Sequence, residues 1–545
     1  MTQFVPVKTN ATSPQRKDYG LGKKNPWGGM ATTPFYGIGE QLVENMQEES
    51  GYYRKMYGNS LLGTVTVSGK TITEIPYLFE YDKGDGTYQV LAIVKTDTAK
   101  WRLRAITANG TVVVPGGGVG DLEFANGTFS YIQAGLFGYI ACNAATNNLY
   151  SWNGADLVVV SNSIANPLFV FKNGGRIATV NAGIAFFSSR VFGQITNFKV
   201  TASGVDMWGN YTVTNSGSMR GAIDANAGAI IFFEKGAELH NVYPNDAGDG
   251  IRGETMTPQW NYGGRGPTNQ QNITKSKNYV YITNEEGLIQ IDPLSGQSKN
   301  IIVNTGAIEK RWKTLDFSAM VIQYSQKNEM VCISTRKSGD ASNDFLICYH
   351  EPYKKFYIKT NVYAKSLALV GGDLYGGEEG SPRIYKLFDT STFEDGYSIS
   401  PTARIVKEWD SFGAPEYEKR LQRFSTFMNL NPVSEVEVNL YKDGSTTAIK
   451  TVTITASDTG ATLDYLSEVG FYVPGIGSTG IDAATNESTQ KSFFHQGAFG
   501  LLAFEYKETS NFDLRVYNTD IQYSITPTSQ GAKIYTSKVY SSDTF

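Results

Sequence analysis

Cysteine is scarce. Three residues in a chain of 545, Cys142, Cys332 and Cys348, are too few and too scattered for a disulfide framework or a zinc site. That usage suits folding in a reducing cytoplasm. Histidine is as rare: His240, His350 and His495 fall in different segments. Neither a metal trio nor a Ser/His/Asp site is expected from them, and each reads as a strand or loop histidine with a satisfied ring. Charged residues make up only 18% and the net charge is -4, so bulk electrostatics give no tight grip on nucleic acid. No apolar run approaches the ~20 residues of a membrane-spanning helix. The start, Met1-Thr2-Gln3-Phe4-Val5-Pro6, lacks the basic and apolar regions of a secretory signal.

Glycine and aromatics are abundant: 57 Gly, 33 Tyr and 29 Phe. Many turn formers beside many side chains suited to a half-buried pleated surface indicate a β-rich protein. The plan is clearest over residues 227–293. Ala229-Ile230-Ile231-Phe232-Phe233 is apolar throughout, then turns through Glu234-Lys235-Gly236 into the alternating Glu238-Leu239-His240-Asn241-Val242. The same pattern returns as Tyr279-Val280-Tyr281-Ile282, a turn at Asn284-Glu285-Glu286-Gly287, and Leu288-Ile289-Gln290-Ile291. A strand apolar on both sides must be covered on both faces. One hairpin cannot do that for itself, whereas stacked hairpins can. Further inner-strand candidates begin near Gln89, Phe137, Gly183, Met330 and Leu367. Steps of roughly 40–50 residues match a four-stranded propeller blade. Residues 59–395 are therefore expected to form a β-propeller of six or seven blades.

Residues 1–58 read as an N-terminal arm and a short helix. The arm carries Arg16, Lys17, Lys23 and Lys24, with Trp27 and Phe35 as possible anchors on a partner. The helix is placed over residues 39–57, where Leu42, Val43 and Met46 share one side. Residues 396–545 are expected to form an antiparallel β-sandwich. Val436, Val438 and Leu440 alternate with Glu435, Glu437 and Asn439, and an Asp443-Gly444 hairpin turn follows. Three further strands, over 501–506, 512–517 and 521–525, complete it. The loop over 470–489 has no core pattern and at that length points to a functional or partner-ordered segment.

No catalytic constellation, cofactor site or metal site is found. Asp82-Lys83-Gly84-Asp85-Gly86 resembles a calcium loop superficially, but lacks alternating ligands and a terminal Glu, so a hairpin turn accounts for it better. Asp246/Asp249 and Glu285/Glu286 are two more acidic loops. Gly116-Gly117-Gly118-Val119-Gly120 is not followed by a helix with Lys-Ser/Thr and is no phosphate cradle. Ser457-Asp458-Thr459-Gly460-Ala461-Thr462 is a single, mis-spaced counterpart of the turn that sialidases repeat.

Several patterns together resemble the β-propeller nozzle or hub proteins of short-tailed bacteriophages, also called tail tubular or head-stabilisation proteins. They are Phe186-Phe187-Ser188-Ser189-Arg190-Val191-Phe192-Gly193 with Asp206-Met207-Trp208; the 229–242 hairpin; and Asp373-Leu374-Tyr375-Gly376-Gly377-Glu378-Glu379-Gly380 leading to Ile384-Tyr385-Lys386-Leu387-Phe388-Asp389. The last is Asp395-Gly396 with Trp409-Asp410-Ser411-Phe412-Gly413-Ala414-Pro415 and Lys419-Arg420. The resemblance implies a structural virion protein rather than an enzyme. It implies a homohexameric ring that continues the DNA-ejection channel below the head-to-tail adaptor or portal complex, lets double-stranded DNA pass, and docks fibres or a needle. Such a protein is made in the host cytoplasm and resides in the virion tail. A competing expectation is a carbohydrate-binding or carbohydrate-degrading propeller of a phage tail, since aromatics stack on sugars. A third is a non-catalytic adhesion or scaffold propeller of a cell.

Overall fold

A computed structural model describes residues 15–18, 40–49, 52–187, 210–242, 256–409, 418–455 and 489–526, apart from short internal gaps. The described chain is nearly all β. Its one α-helix among the described residues is Ala307–Trp312.

From residue 72 to 389 the chain builds sheets in sequence order, each an antiparallel meander of four strands. The first runs Ile72–Asp82, Tyr88–Thr96, Trp101–Thr107 and Val112–Val113. Equivalent sheets occupy residues 128–159, 169–212, 219–265, 273–300 and 321–360. The seventh takes three strands from 364–389 and its fourth, Gly58–Thr64, from ahead of the first sheet. The first strand of every sheet touches the first strand of the next, and Ala364–Val370 returns to touch Ile72–Asp82. A closed circle of four-stranded meanders is the sheet arrangement of a β-propeller.

The burial pattern explains this choice. Of the seven apolar strands singled out in the sequence, five are second in their sheets, Tyr88–Thr96, Phe137–Asn143, Gly228–Phe233, Val280–Asn284 and Met330–Thr335, whereas Ile184–Phe187 is third and Ala364–Val370 first. A second strand is flanked by two hydrogen-bonded neighbours and covered by adjacent sheets, so both its faces are dry. Val90, Leu91, Ala92, Ile93 and Val94 are all buried, at ~1.5–3 kcal/mol for each large side chain. Their alternate side chains enter different cores: Leu91 and Ile93 meet the second sheet, whereas Val90, Ala92 and Val94 meet the seventh. Aromatic rings fill the wedge between the first two sheets. Trp101 stacks on Phe129 at 5.5 Å between ring centroids, and Trp152 donates its indole N–H to Gln89 Oε1 at 3.3 Å.

The expected helix over 39–57 is absent. That stretch forms three strands, Glu40–Glu44, Met46–Glu49 and Tyr52–Lys55, with a break at Asn45 in the left-handed region (φ 53°). Leu42, Val43 and Met46 are buried because the segment lies between two sheets: Leu42 faces one core and Val43 the other. Apolar residues at these spacings serve a strand covered on both sides as well as a helix face.

The strand Glu40–Glu44 pairs in parallel with Lys355–Thr360, at Glu44 and Ile358, and antiparallel with Ala403–Lys407. The sixth sheet thereby continues through Ala403–Lys407, Leu502–Glu508, Glu435–Lys442 and Lys450–Thr455 into one nine-stranded sheet. A seven-stranded sheet, centred on the pair Glu418–Leu430 and Leu514–Thr526, shares its core. Phe424 meets Phe504 edge to face at 5.2 Å, and Tyr506 Oη donates to Thr426 Oγ1 at 2.9 Å. The two strands expected over 512–517 and 521–525 are one strand, Leu514–Thr526. Asp443-Gly444 does form a tight turn, with positive φ at both residues (51° and 78°) and Ser445 N donating to Lys442 O at 2.9 Å, but it is not a two-residue hairpin loop, since the strands it joins last pair at Leu440 and Lys450.

Gly58 shows how closely the seventh sheet is sealed. A Cβ there would stand 2.1 Å from the Glu394 carbonyl oxygen. At Gly263 a Cβ would meet nothing within 4 Å. Gly58→Ala is therefore expected to destabilise by about 1–3 kcal/mol, and Gly263→Ala by less than ~0.5 kcal/mol. Urea denaturation midpoints check the difference.

Candidate functional site

None of the sequence motifs assembles into a reaction centre among the described residues. Asp82 Oδ1 accepts from Gly84 N at 2.8 Å, and Asp85 Oδ1 accepts from Thr87 N at 2.9 Å and Thr87 Oγ1 at 2.6 Å. Those carboxylates are occupied by their own hairpin turn. Glu285 pairs with Arg265 at 2.9 Å across a neighbouring turn. The glycine run at 116–120 packs against the next sheet: Gly116 N donates to Ala155 O at 2.9 Å, and Leu157 N donates to Gly116 O at 3.0 Å. His240 sits within the ladder of Lys235–Val242, opposite Ala229. His350 accepts from Tyr353 N through Nδ1 at 3.2 Å and stacks on the Tyr353 ring; burial pushes its pKa down to about 4. His495, Asp246, Asp249, Asp206, Met207, Trp208 and the 457–462 segment lie outside the described residues. So do Lys23, Lys24, Trp27 and Phe35, and most of the 470–489 loop. Of the arm, residues Gln15–Asp18 are described; they pair antiparallel with residues 520–523. Among the described residues no three His, Cys, Asp or Glu side chains are placed to hold a metal ion.

Two polar features emerge instead. The first is a small recess, with room for about one water, where Gly58–Thr64 seals the seventh sheet, lined in part by Asn59, Asn361, Glu378, Tyr385 and Asp395. Burial raises the pKa of both carboxyls, Glu378 and Asp395. Glu378 Oε2 and Asn59 Oδ1 are buried with no protein hydrogen-bond partner. Two carboxyls and an amide oxygen are hard acceptors, fit for an ordered water or a small hard cation. No histidine, cysteine or serine lines the recess to act as a nucleophile.

The second feature is the belt of buried charge where the nine-stranded sheet leaves the propeller. Lys55 Nζ meets Glu508 Oε2 at 2.7 Å, with both side chains 0% exposed. It also donates to Ser400 Oγ at 3.1 Å and to Ser510 O. Arg404 joins Glu44 at 3.3 Å to Glu505 at 2.7 Å. Lys355 pairs with Glu48. Lys359 donates to Tyr57 O at 2.6 Å beneath the Phe388 ring; burial lowers its pKa to about 8. Asn45 is the hinge pin: Nδ2 donates to Thr360 Oγ1 at 2.7 Å and Thr402 O at 2.8 Å, and Oδ1 accepts from Thr360 N at 2.9 Å. Every partner comes from a distant part of the chain. Sequence reasoning passed over Lys55, Lys359 and Glu508, because a lone charge in a strand carries no local mark of its long-range partner.

No family model matches the chain, and no curated protein matches it. Solved structures with similar backbone paths include a chain from an S. cerevisiae complex of Dbp5 with Nup159, Gle1, IP6 and ADP. It is 11% identical, over 64% of this chain and 99% of that chain, with a TM-score of 0.33. Another is the WD40 domain of Toxoplasma gondii coronin, 8% identical over 63% of this chain and 88% of that one, with a TM-score of 0.35. At such distances neither bears on function, and the propeller rests on the sheet arrangement itself.

Two outcomes follow for the charged belt. Glu508→Gln leaves Lys55 buried without its counter-charge and is expected to cost about 3–5 kcal/mol, whereas Lys55→Met with Glu508→Leu is expected to recover most of that loss; denaturant unfolding of wild type and the two variants measures both. Lys359 carries the other. Its pKa of about 8 in the folded protein lies below its ordinary value of 10.5, so the unfolded chain binds the extra proton and stability rises with pH in that window. Between pH 7.5 and 9, wild type should gain about 1 kcal/mol relative to Lys359→Met.

Proposed function

We propose that this chain is a structural protein of a short-tailed phage tail, a nozzle or hub. In this reading the circle of meanders is a seven-bladed propeller over residues 59–395, and residues 396–545 are a β-sandwich platform. Copies assemble as a homohexameric ring below the head-to-tail adaptor, continue the DNA-ejection channel, and dock fibres or a needle. The protein resides in the virion after synthesis in the host cytoplasm. The single observation that supports it is the nine-stranded sheet running without a break from the propeller into the C-terminal sheets. A hub that carries appendages must transmit force between its two ends, and a continuous backbone ladder does so without a flexible linker. A closed ring needs two different patches on each subunit. In this reading the distal sheet edge at Lys450–Thr455 is one such patch, and the other lies on the propeller.

Negative-stain electron microscopy at high protein concentration, with immunogold labelling of phage particles, tests the reading. Rings in solution and label at the tail are expected. Monomers only, with no label on particles, would overturn it.

A further inference from the structure

We propose that Cys332 and Cys348 form a redox modification site, in which a peroxide oxidant converts two buried thiols into a reversible cross-strand disulfide. The two residues stand opposite each other on neighbouring strands, Met330–Thr335 and Phe345–His350. Both side chains are fully buried and belong to the same core. Cys332 Sγ points to Met330 O at 4.0 Å.

The register decides what these thiols can do. Glu351 N donates to Glu329 O at 3.0 Å on the same ladder. Hydrogen-bonded and non-hydrogen-bonded pairs alternate along an antiparallel ladder. Counting inward through Met330/His350 and Val331/Tyr349, the Cys332/Cys348 pair is non-hydrogen-bonded. Such pairs bring Cα atoms to about 4.5 Å, inside the roughly 4.4–6.8 Å span a disulfide bridges. Side chains approach most closely there, so bond formation requires the sulfurs to move but not the backbone.

The chemistry balances with hydrogen peroxide as oxidant. One sulfur attacks a peroxide oxygen, the O–O bond breaks, and a sulfenic acid and one water form. The second thiol attacks that sulfur, the S–O bond breaks, and a second water leaves with the proton. Two electrons pass from the thiol pair to the peroxide. Cys348 and burial push the Cys332 thiol well above its ordinary range, and the charge of Lys359, on the same face opposite Leu346 of the neighbouring strand, works against them. Only one sulfur has to be reached by a small oxidant, because its resolving partner stands directly opposite on the neighbouring strand. Cys142, equally buried on the second sheet, provides an internal comparison.

The test uses the full-length protein. Native protein is treated with hydrogen peroxide, unfolded, alkylated and mapped by mass spectrometry without reductant. A peptide joining Cys332 to Cys348 is expected, lighter by two hydrogens and lost on adding dithiothreitol. It should form while Cys142, equally buried but with no cysteine opposite it, is still fully alkylated. In Cys348→Ser, dimedone should trap a sulfenic acid at Cys332 and no internal crosslink should appear. Wild-type mapping alone decides if that variant fails to fold. Full alkylation of both thiols while Cys142 oxidises would overturn the proposal. Bridges only between chains, or sulfinic acids without a bridge, would do the same.

Discussion

One five-residue strand ties this protein together. Glu40–Glu44 is the seam between Lys355–Thr360, the outermost strand of the sixth sheet, and Ala403–Lys407, the first strand beyond the propeller. Without it the nine-stranded sheet would be two sheets with unpaired edges, and exposed edges invite association. The parallel contact with Ile358 is short. Side chains reinforce it: Asn45 bonds to Thr360 on one flanking strand and to Thr402, the residue just ahead of the other, and Arg404 reaches Glu44 from the second strand. The junction is thus a backbone ladder with an apolar core on each face, braced by buried polar groups.

That choice has energetic consequences. A buried ion pair gains little over a well-packed apolar pair, yet losing one partner is severe. Lys55 with Glu508 and Lys359 with Tyr57 therefore act less as sources of net stability than as specificity devices. They discriminate against any docking in which the strands are out of register, since a misplaced ammonium would lie in a dry core unpaired. The propeller cores are built differently. They are aliphatic and aromatic, with each doubly buried strand contributing side chains to two neighbouring interfaces.

The amount legible in the sequence follows the range of the interactions. Doubly apolar strands at steps of 40–50 residues announced stacked sheets, because that pattern is local to each hairpin. The Asp443-Gly444 turn was legible for the same reason. Strand rank within a sheet was not: most of these strands lie in the middle of a sheet, flanked and covered on every side, whereas Ala364–Val370 lies first. The segment at 39–57 was misjudged because Leu42, Val43 and Met46 satisfy a helical period and a two-faced strand alike, and only the distant partners at 355–360 and 403–407 decide between them. The recess at Asn59 and Glu378 was equally hidden. Its walls come from both ends of the propeller sequence, and nothing near either residue foretells the other.

The strand Gly58–Thr64 finishes the seventh sheet although it is made before the first. A ribosome releases it about three hundred residues ahead of its partner at 383–389. Throughout that interval it has no ladder to join, and the growing circle keeps a gap. Closure is consequently the last event of the propeller's birth, with a long loop to gather in. Holdases would meet this chain at its open edge, and a truncated product lacking the final sheet would retain that edge permanently.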